Sequence, residues 1–99
     1  MKVVFSPKAE NDLESIGDTI ASDNPRRAVT FIHEIRSHCH TLSSTPEAAP
    51  KRDDIAQGIR MLAHGNYLMF YRIIETEIRI ERVLHGARDL SALIGEPQN

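Results

Sequence analysis

Apolar positions change their spacing twice along this 99-residue chain, and the changes divide it into elements. Residues 2–6 (KVVFS) form a short β-branched and aromatic run that reads as a strand. After it, Ala9, Leu13, Ile16 and Ile20 recur at intervals of four, three and four, the single stripe of an amphipathic helix. Ser6-Pro7 supplies its start, a capping hydroxyl followed by proline at the first helical position, so the spacing predicts a helix from Pro7 to about Ser22. Asp23-Asn24-Pro25 breaks it and opens a second helix by the same device, running to about Leu42. The apolar side of that helix carries Ala28, Phe31, Ile32, Ile35, Cys39 and Leu42. A break this short folds the two helices back on each other as a hairpin. Gly17 is either where their backbones come close or a weak point in the first helix.

From residue 43 the helical period is lost. Residues 43–58 are polar and turn-rich, with Pro46 and Pro50, and read as a loop that is mobile or ordered by a partner. Three strand-like runs then follow, 59–63 (IRMLA), 67–74 (YLMFYRII) and 78–84 (IRIERVL). Gly65-Asn66 suits a type II′ hairpin turn between the first two, and residues 75–77 form a second tight connection. Asp89 to Ile94 is expected to make one last helical turn, and 95–99 a frayed tail. The order β-α-α-β-β-β predicts an α+β fold. It is an antiparallel sheet with the N-terminal helical hairpin packed on one face, a single domain over 1–94. The strand at 67–74 raises a question. One face carries Tyr67, Met69, Tyr71 and Ile73, the other Leu68, Phe70, Arg72 and Ile74, and both are apolar. A sheet covered on one side alternates apolar with polar, so the second face needs its own cover, either a partner chain or the loop 43–58.

Composition narrows the class. A hydrophobic share of 40% beside 26% charged residues is ordinary for a soluble domain, and with no tryptophan the core must be mostly aliphatic. The single cysteine, Cys39, excludes an internal disulfide and fits a reducing compartment. Lys2, Lys8, Glu10 and Asp12 leave no long apolar run near the N-terminus, so neither a signal peptide nor a membrane span is expected and the location reads as cytoplasmic. A net charge of −2 argues against a protein whose main task is gripping nucleic acid, and no direct sequence-specific nucleic-acid binding is expected. The charge is uneven, because residues 1–24 hold two lysines against five acids while residues 25–60 hold six basic residues against four acidic ones.

Candidate chemistry gathers where the last strand runs out. Arg82, His85 and Arg88, with Arg60 earlier, bring fixed positive charge and a titratable imidazole to one sheet edge. Three readings compete. The arginines could clamp a phosphate while His85 transfers protons. The set could be a docking surface for an anionic partner. Or Arg82 and Arg88 could simply pair with Glu77, Glu81 or Asp89 and hold the C-terminus down. His38-Cys39-His40 looks like a metal motif, but neighbours one and two apart on a helix point in different directions. No metal site and no cofactor is therefore expected. His38 could pair with Glu34, and Cys39 belongs on the core side of its helix. Glu10, Glu14 and Asp18 form a row on the first helix, either solvated or facing a basic partner, and Asp12 could pair with Lys8. There is no phosphate-cradling glycine loop and no nucleophile with a matched base.

The ordered set of Asp12-Leu13, Ile20-Ala21 through Asp23-Asn24-Pro25-Arg26-Arg27-Ala28, GIR at 58–60, Tyr67 to Tyr71-Arg72 and RVLHGARDL at 82–90 resembles the ParE branch of the ParE/RelE toxin superfamily. The similarity covers about residues 1–94. It implies a small cytoplasmic bacterial toxin of a type II toxin–antitoxin operon, with a role in plasmid stabilisation, held inactive by a co-encoded ParD-like antitoxin. Toxins of the ParE branch bind DNA gyrase and block replication. Their RelE relatives cut messenger RNA on the ribosome. The nuclease branch usually places an arginine just after the tyrosine of the third strand and a tyrosine near the C-terminus, where this chain has Leu68 and Ser91. Losing a guanidinium that stabilises phosphorane charge removes a large electrostatic term, so these departures favour gyrase. On that reading Arg60, Leu68, Phe70, Arg72, Arg82, His85 and Arg88 are partner-binding residues and none is catalytic. On the alternative, Arg60, Arg82, His85 and Arg88 are the nuclease residues.

Overall fold

In the computed structural model, which describes residues 1–89, the chain leaves its first strand, β1 (Lys2–Phe5), through Ser6. The Ser6 hydroxyl accepts the Ala9 N–H at 3.0 Å and Pro7 opens helix α1 (Pro7–Ala21). After a three-residue break, Asn24 Oδ1 accepts the Arg27 N–H at 3.1 Å and Pro25 opens α2 (Pro25–His40), which tightens into a 3-10 turn over Thr41–Ser43. Both caps satisfy donors that the first helical turn would otherwise leave unpaired, so each helix starts where its polar signal stands. Ala9, Leu13 and Ile16 of α1 and Ala28, Ile35 and Cys39 of α2 are buried. Arg36 reaches across the hairpin to the Glu10 carboxylate, and its guanidinium also lies over the Phe5 ring at 5.0 Å. A Cβ on Gly17 would sit 3.6 Å from Ile32 Cγ1, an ordinary contact, so the helices touch there without requiring a glycine.

The sheet has the order β1-β4-β3-β2, with β2 (Arg60–His64), β3 (Tyr67–Ile74) and β4 (Glu77–His85). The last three form an antiparallel meander. β1 instead lies parallel to β4, Lys2 opposite Glu77 through Phe5 opposite Ile80, so the sheet is mixed rather than antiparallel throughout. The long crossover through both helices makes this possible, since a parallel pair cannot be closed by a hairpin turn. Gly65, at φ +60°, takes the first central place of the turn between His64 and Tyr67, as a type II′ turn requires. Glu75 holds the equivalent place before Glu77 at φ +56°, a left-handed conformation that costs a residue with a Cβ about 1 kcal/mol.

Alternation along the strands sorts side chains to two faces. On the helix side Met69, Tyr71, Ile78, Ile80 and Val83 close a core with Leu13, Ile16, Ile35 and Leu42. On the other side Phe70 and Leu84 pack with Ile59, and the half-buried Ile55, Ala56, Met61 and Leu68 surround them. The cover of the second face is thus the chain's own loop. That loop is not loose, as its composition suggested. Arg52 N–H donates to Ile59 O at 2.7 Å, Met61 N–H to Pro50 O at 3.2 Å, and Gly58 N–H to Asp53 Oδ1 at 2.7 Å. The Tyr71 hydroxyl donates to Pro46 O at 2.8 Å from the helix side. Local turns satisfy the polar backbone while Ile55, Ala56 and Ile59 give it apolar anchors, which fixes the segment. Among the described residues no helix is long and apolar enough to cross a membrane. Residues 86–89 form a turn in which the Arg88 and Asp89 N–H groups donate to His85 O; beyond Asp89, the helical turn expected to Ile94 and the tail 95–99 lie outside the described residues.

Candidate functional site

The register of β3 against β4 slips at one place. Tyr71 faces Ile80 and Phe70 faces Arg82, which leaves Glu81 as an extra residue, a β-bulge. The bulge resets alternation. Ile78 and Ile80 face the helices before it and Val83 after it, whereas Leu84 joins the second face. A bulge also disturbs the ladder, and the segment around the start of α1 supplies the missing partners. Ser6 N–H donates to Ile80 O at 2.9 Å and the Ser6 hydroxyl to Glu81 O at 2.9 Å. Asp12 Oδ2 accepts the Val83 N–H at 2.9 Å and Arg82 Nε–H at 2.8 Å, while its Oδ1 accepts from the same guanidinium at 3.0 Å.

Asp12 therefore pairs with Arg82 and not with Lys8, and Arg82 takes neither Glu77, Glu81 nor Asp89. The Asp12 side chain is only 14% exposed, so this fork is shielded from solvent. Its hydrogen bond from Arg82 raises the pKa of that guanidinium further.

Beyond the bulge, on the face away from the helices, lies a groove of about 610 Å³. Phe70, Ile59, Ile55 and Ala56 make its apolar wall, and Ser6, Pro7 and Lys8 at the start of α1 close one side. Four cationic side chains (Lys8, Arg72, Arg79 and Arg82) line it against a single carboxylate, Glu81. Arg72 and Arg79 stand directly opposite each other on neighbouring strands, an unfavourable like-charge pair unless an anion lies between them. Glu81 serves both only at a distance, 3.6 Å from Arg72 Nη1 and 3.9 Å from Arg79 Nε. Among the described residues Arg79 Nε has no acceptor in hydrogen-bond range, in a side chain that is 43% exposed as a whole.

The cluster read from the sequence is dispersed by the fold. Arg60 opens β2 and donates to Ala49 O at 2.7 Å and Glu47 O at 3.4 Å, clamping the loop. Arg82 is held by Asp12. His85 Nδ1 accepts the Ala87 and Arg88 backbone N–H groups at 3.2 and 3.3 Å, while the His85 backbone N–H donates to Asp89 Oδ2 at 3.0 Å. The imidazole thus caps a turn of its own chain, and its ring rests edge-on against Tyr67. Arg88 lies on the helix side beside Ser15, Thr19 and Tyr67. The other partner-binding candidates, Leu68, Phe70 and Arg72, share the second face, with Phe70 fully buried, Leu68 at its margin and Arg72 in the groove.

His38, Cys39 and His40 diverge as their spacing required. His38 Nδ1 meets His64 Nδ1 at 2.9 Å, Cys39 is in the core with burial pushing its thiol up to about 12, and His40 lies near the Phe5 ring. Glu34 pairs with Arg27 at 2.8 Å rather than with His38. Sequence reasoning missed Asp12, Lys8 and Arg79. A signal for the first existed, because the adjacent polar residues Glu81 and Arg82 interrupt an otherwise alternating strand and mark a bulge that needs a partner. Arg79 looked like the solvated half of that alternation.

A helical hairpin on a four-stranded mixed sheet, with the opposite face left as a partly covered groove, makes this a small α+β fold. Residues 3–90 match the family described as the ParE toxin of type II toxin–antitoxin system, parDE, and the chain belongs to that family. It is similar to Toxin ParE3 of Caulobacter vibrioides, 24% identical over 96 residues, which is 96% of each chain. The solved chromosomal ParDE toxin–antitoxin system of P. aeruginosa shares its fold at a TM-score of 0.77 and 23% identity, over 86% of this chain and 95% of that one. A chain of the toxin–antitoxin complex RelBE2 from Mycobacterium tuberculosis follows at a TM-score of 0.61 and 24% identity, over 85% and 95%.

Proposed function

We propose that this protein is a cytoplasmic toxin neutralised by a ParD-like antitoxin, and that it acts by occupying DNA gyrase rather than by chemistry of its own. The observation that carries the reading is the dispersal of the polar set. Arg60, Arg82 and His85 each serve a separate structural contact, with Ala49 O in the loop, with Asp12 of α1 and with the turn at Ala87, so they converge on no common reacting atom. General acid–base work needs a proton-transfer group within reach of the same substrate that the cations hold. Leu68 at the third-strand position supports the same conclusion. The partly apolar, strongly cationic groove is a surface that an antitoxin segment would cover, and family membership supports such a partner.

Expression without the antitoxin should arrest growth, and the purified protein should inhibit gyrase supercoiling. His85→Ala should leave that inhibition largely intact. Unimpaired supercoiling together with transcripts cleaved on ribosomes would overturn the proposal and select the nuclease.

A further inference from the structure

The seam between α1 and α2 opens to solvent as a second groove, of about 570 Å³, that shares no lining residue with the one on the sheet. Small or apolar residues line it, among them Gly17, Ala21, Ala28 and Ile32. Val29 belongs to the same groove and is 72% exposed, the most open of the large apolar side chains among the described residues. The rim on α1 is acidic. Glu10, Glu14 and Asp18 follow at four-residue steps, about 6 Å apart along the helix axis. Arg36 holds Glu10. Among the described residues Glu14 and Asp18 pair with no cation, and each has a like charge one turn away, which weakens a helix slightly. The fold thus gains nothing from these two carboxylates, and little from Val29.

We propose that this groove is the surface that docks on DNA gyrase. An apolar side chain of the enzyme lies against Gly17, Ile32 and Val29 while its lysines or arginines meet Glu14 and Asp18. The inference rests on the reading of this chain as a toxin that occupies gyrase. Charge selects the partner. An enzyme that grips DNA draws its affinity from an excess of Lys and Arg, which complements an acidic rim. Residues 1–24 carry two lysines against five acids, so the α1 side of the molecule repels nucleic acid and attracts a surface built to bind it. The antitoxin suits the groove on the sheet, where four cations meet one carboxylate. Two surfaces of opposite sign, with no residue in common, suit two partners of opposite sign. A second copy of this chain would bring another acidic rim to the same seam.

The test measures inhibition of supercoiling by gyrase holoenzyme, and the rate at which gyrase binds immobilised toxin. It compares wild type, Val29→Glu, the double variant Glu14→Lys with Asp18→Lys and, as a control at the far turn of the sheet, Glu75→Lys. The double variant should bind about tenfold more slowly or worse at low salt, with the gap narrowing as salt rises, because a rim charge acts on encounter. Val29→Glu should raise the toxin concentration for half inhibition about tenfold or more, and Glu75→Lys should change neither reading. Thermal midpoints separate this from damage to the fold. The double variant replaces a like-charge neighbour of Glu10 by an opposite one, so it should melt no lower than wild type while inhibiting less. Inhibition within twofold of wild type in both hairpin variants overturns the inference and leaves gyrase as the target. Wild-type protein that never slows supercoiling overturns the gyrase reading and the inference with it. Variants that keep inhibition but no longer bind the antitoxin give the groove to the antitoxin and overturn the inference. A wild-type dimer in sedimentation that Val29→Glu splits, with inhibition unchanged, gives it to a second copy and overturns the inference equally.

Discussion

On the helix side of the sheet Met69, Tyr71, Ile78 and Ile80 are wholly buried beneath two capped helices. On the other side the same strands bury Phe70 and Leu84 beneath a loop, then open into a groove with an unmatched arginine. The difference comes from what covers each face. Two amphipathic helices offer continuous apolar stripes that can close a surface. The loop offers three apolar anchors and otherwise polar turns, so it stops halfway. A face that is left half-closed and cationic has lost stability it could have had, and the remaining surface is where a partner gains most.

The sharpest way to break that comparison is to truncate one isoleucine on each face. Ile80→Ala should lower unfolding stability by about 3 kcal/mol, because its neighbours are wholly buried and cannot collapse into the cavity. Ile55→Ala, half-buried in the loop, should lose about 1 kcal/mol or less. Urea midpoints of the two variants decide it. Equal losses would mean the second face is a core in its own right and the groove a minor dimple.

Asp12 lies at the seam between the faces, and its removal should have the next largest effect. One carboxylate there satisfies a guanidinium and the Val83 N–H that the bulge leaves over. Asp12→Ala should lower stability by about 2 kcal/mol, read from the same urea titrations, with Asp12→Asn recovering part because it keeps an acceptor for Val83. A loss under about 0.5 kcal/mol would show that these groups reach water and that the bulge needs no partner.

Much of this architecture was legible in the chain. Ser6-Pro7 and Asn24-Pro25 announced both helix starts, since a capping side chain and a proline act locally and need no tertiary help. Strand alternation placed β2, β3 and β4 within a residue or two of their ends. The parallel pairing of β1 was not legible, because period-two alternation says nothing of direction. The site fared worse for a related reason. Arg60, Arg82, His85 and Arg88 are near one another in reading order or share a charge, but where a side chain goes depends on what the fold brings to it. Asp12 comes from 70 residues away to claim Arg82. Leu68, Phe70 and Arg72 did emerge together, as three alternate positions of one strand must.

The smallest predicted effect concerns the margin of the closed face, where α2 meets β2 through His38 and His64. Their Nδ1 atoms are 2.9 Å apart, so one must donate and the other accept. Burial first, and the charge on His64 second, hold the pKa of His38 below its ordinary value of 6.5. The folded state therefore resists a proton that the unfolded chain accepts readily. As pH falls below about 6.5 the unfolded state binds more protons, and stability declines until the folded His38 also titrates; above that value the pair takes nothing away. Other charged groups face the pair. Glu34 Oε1 lies 3.9 Å from His64 Nε2, and Arg27 already holds that carboxylate at 2.8 Å. The carboxylates whose pKa values are lowered (Glu10 by Arg36, Glu34 by Arg27, Asp54 by Arg52) contribute stability lost only at more acid pH, so the window from roughly pH 7 to 5 reads His38 apart from them. Thermal midpoints across that window should fall for wild type and fall less for His38→Gln. Parallel curves for the two proteins would mean that this edge of the helix face is already open to solvent, and that the closed face ends one side chain earlier than the structure draws it.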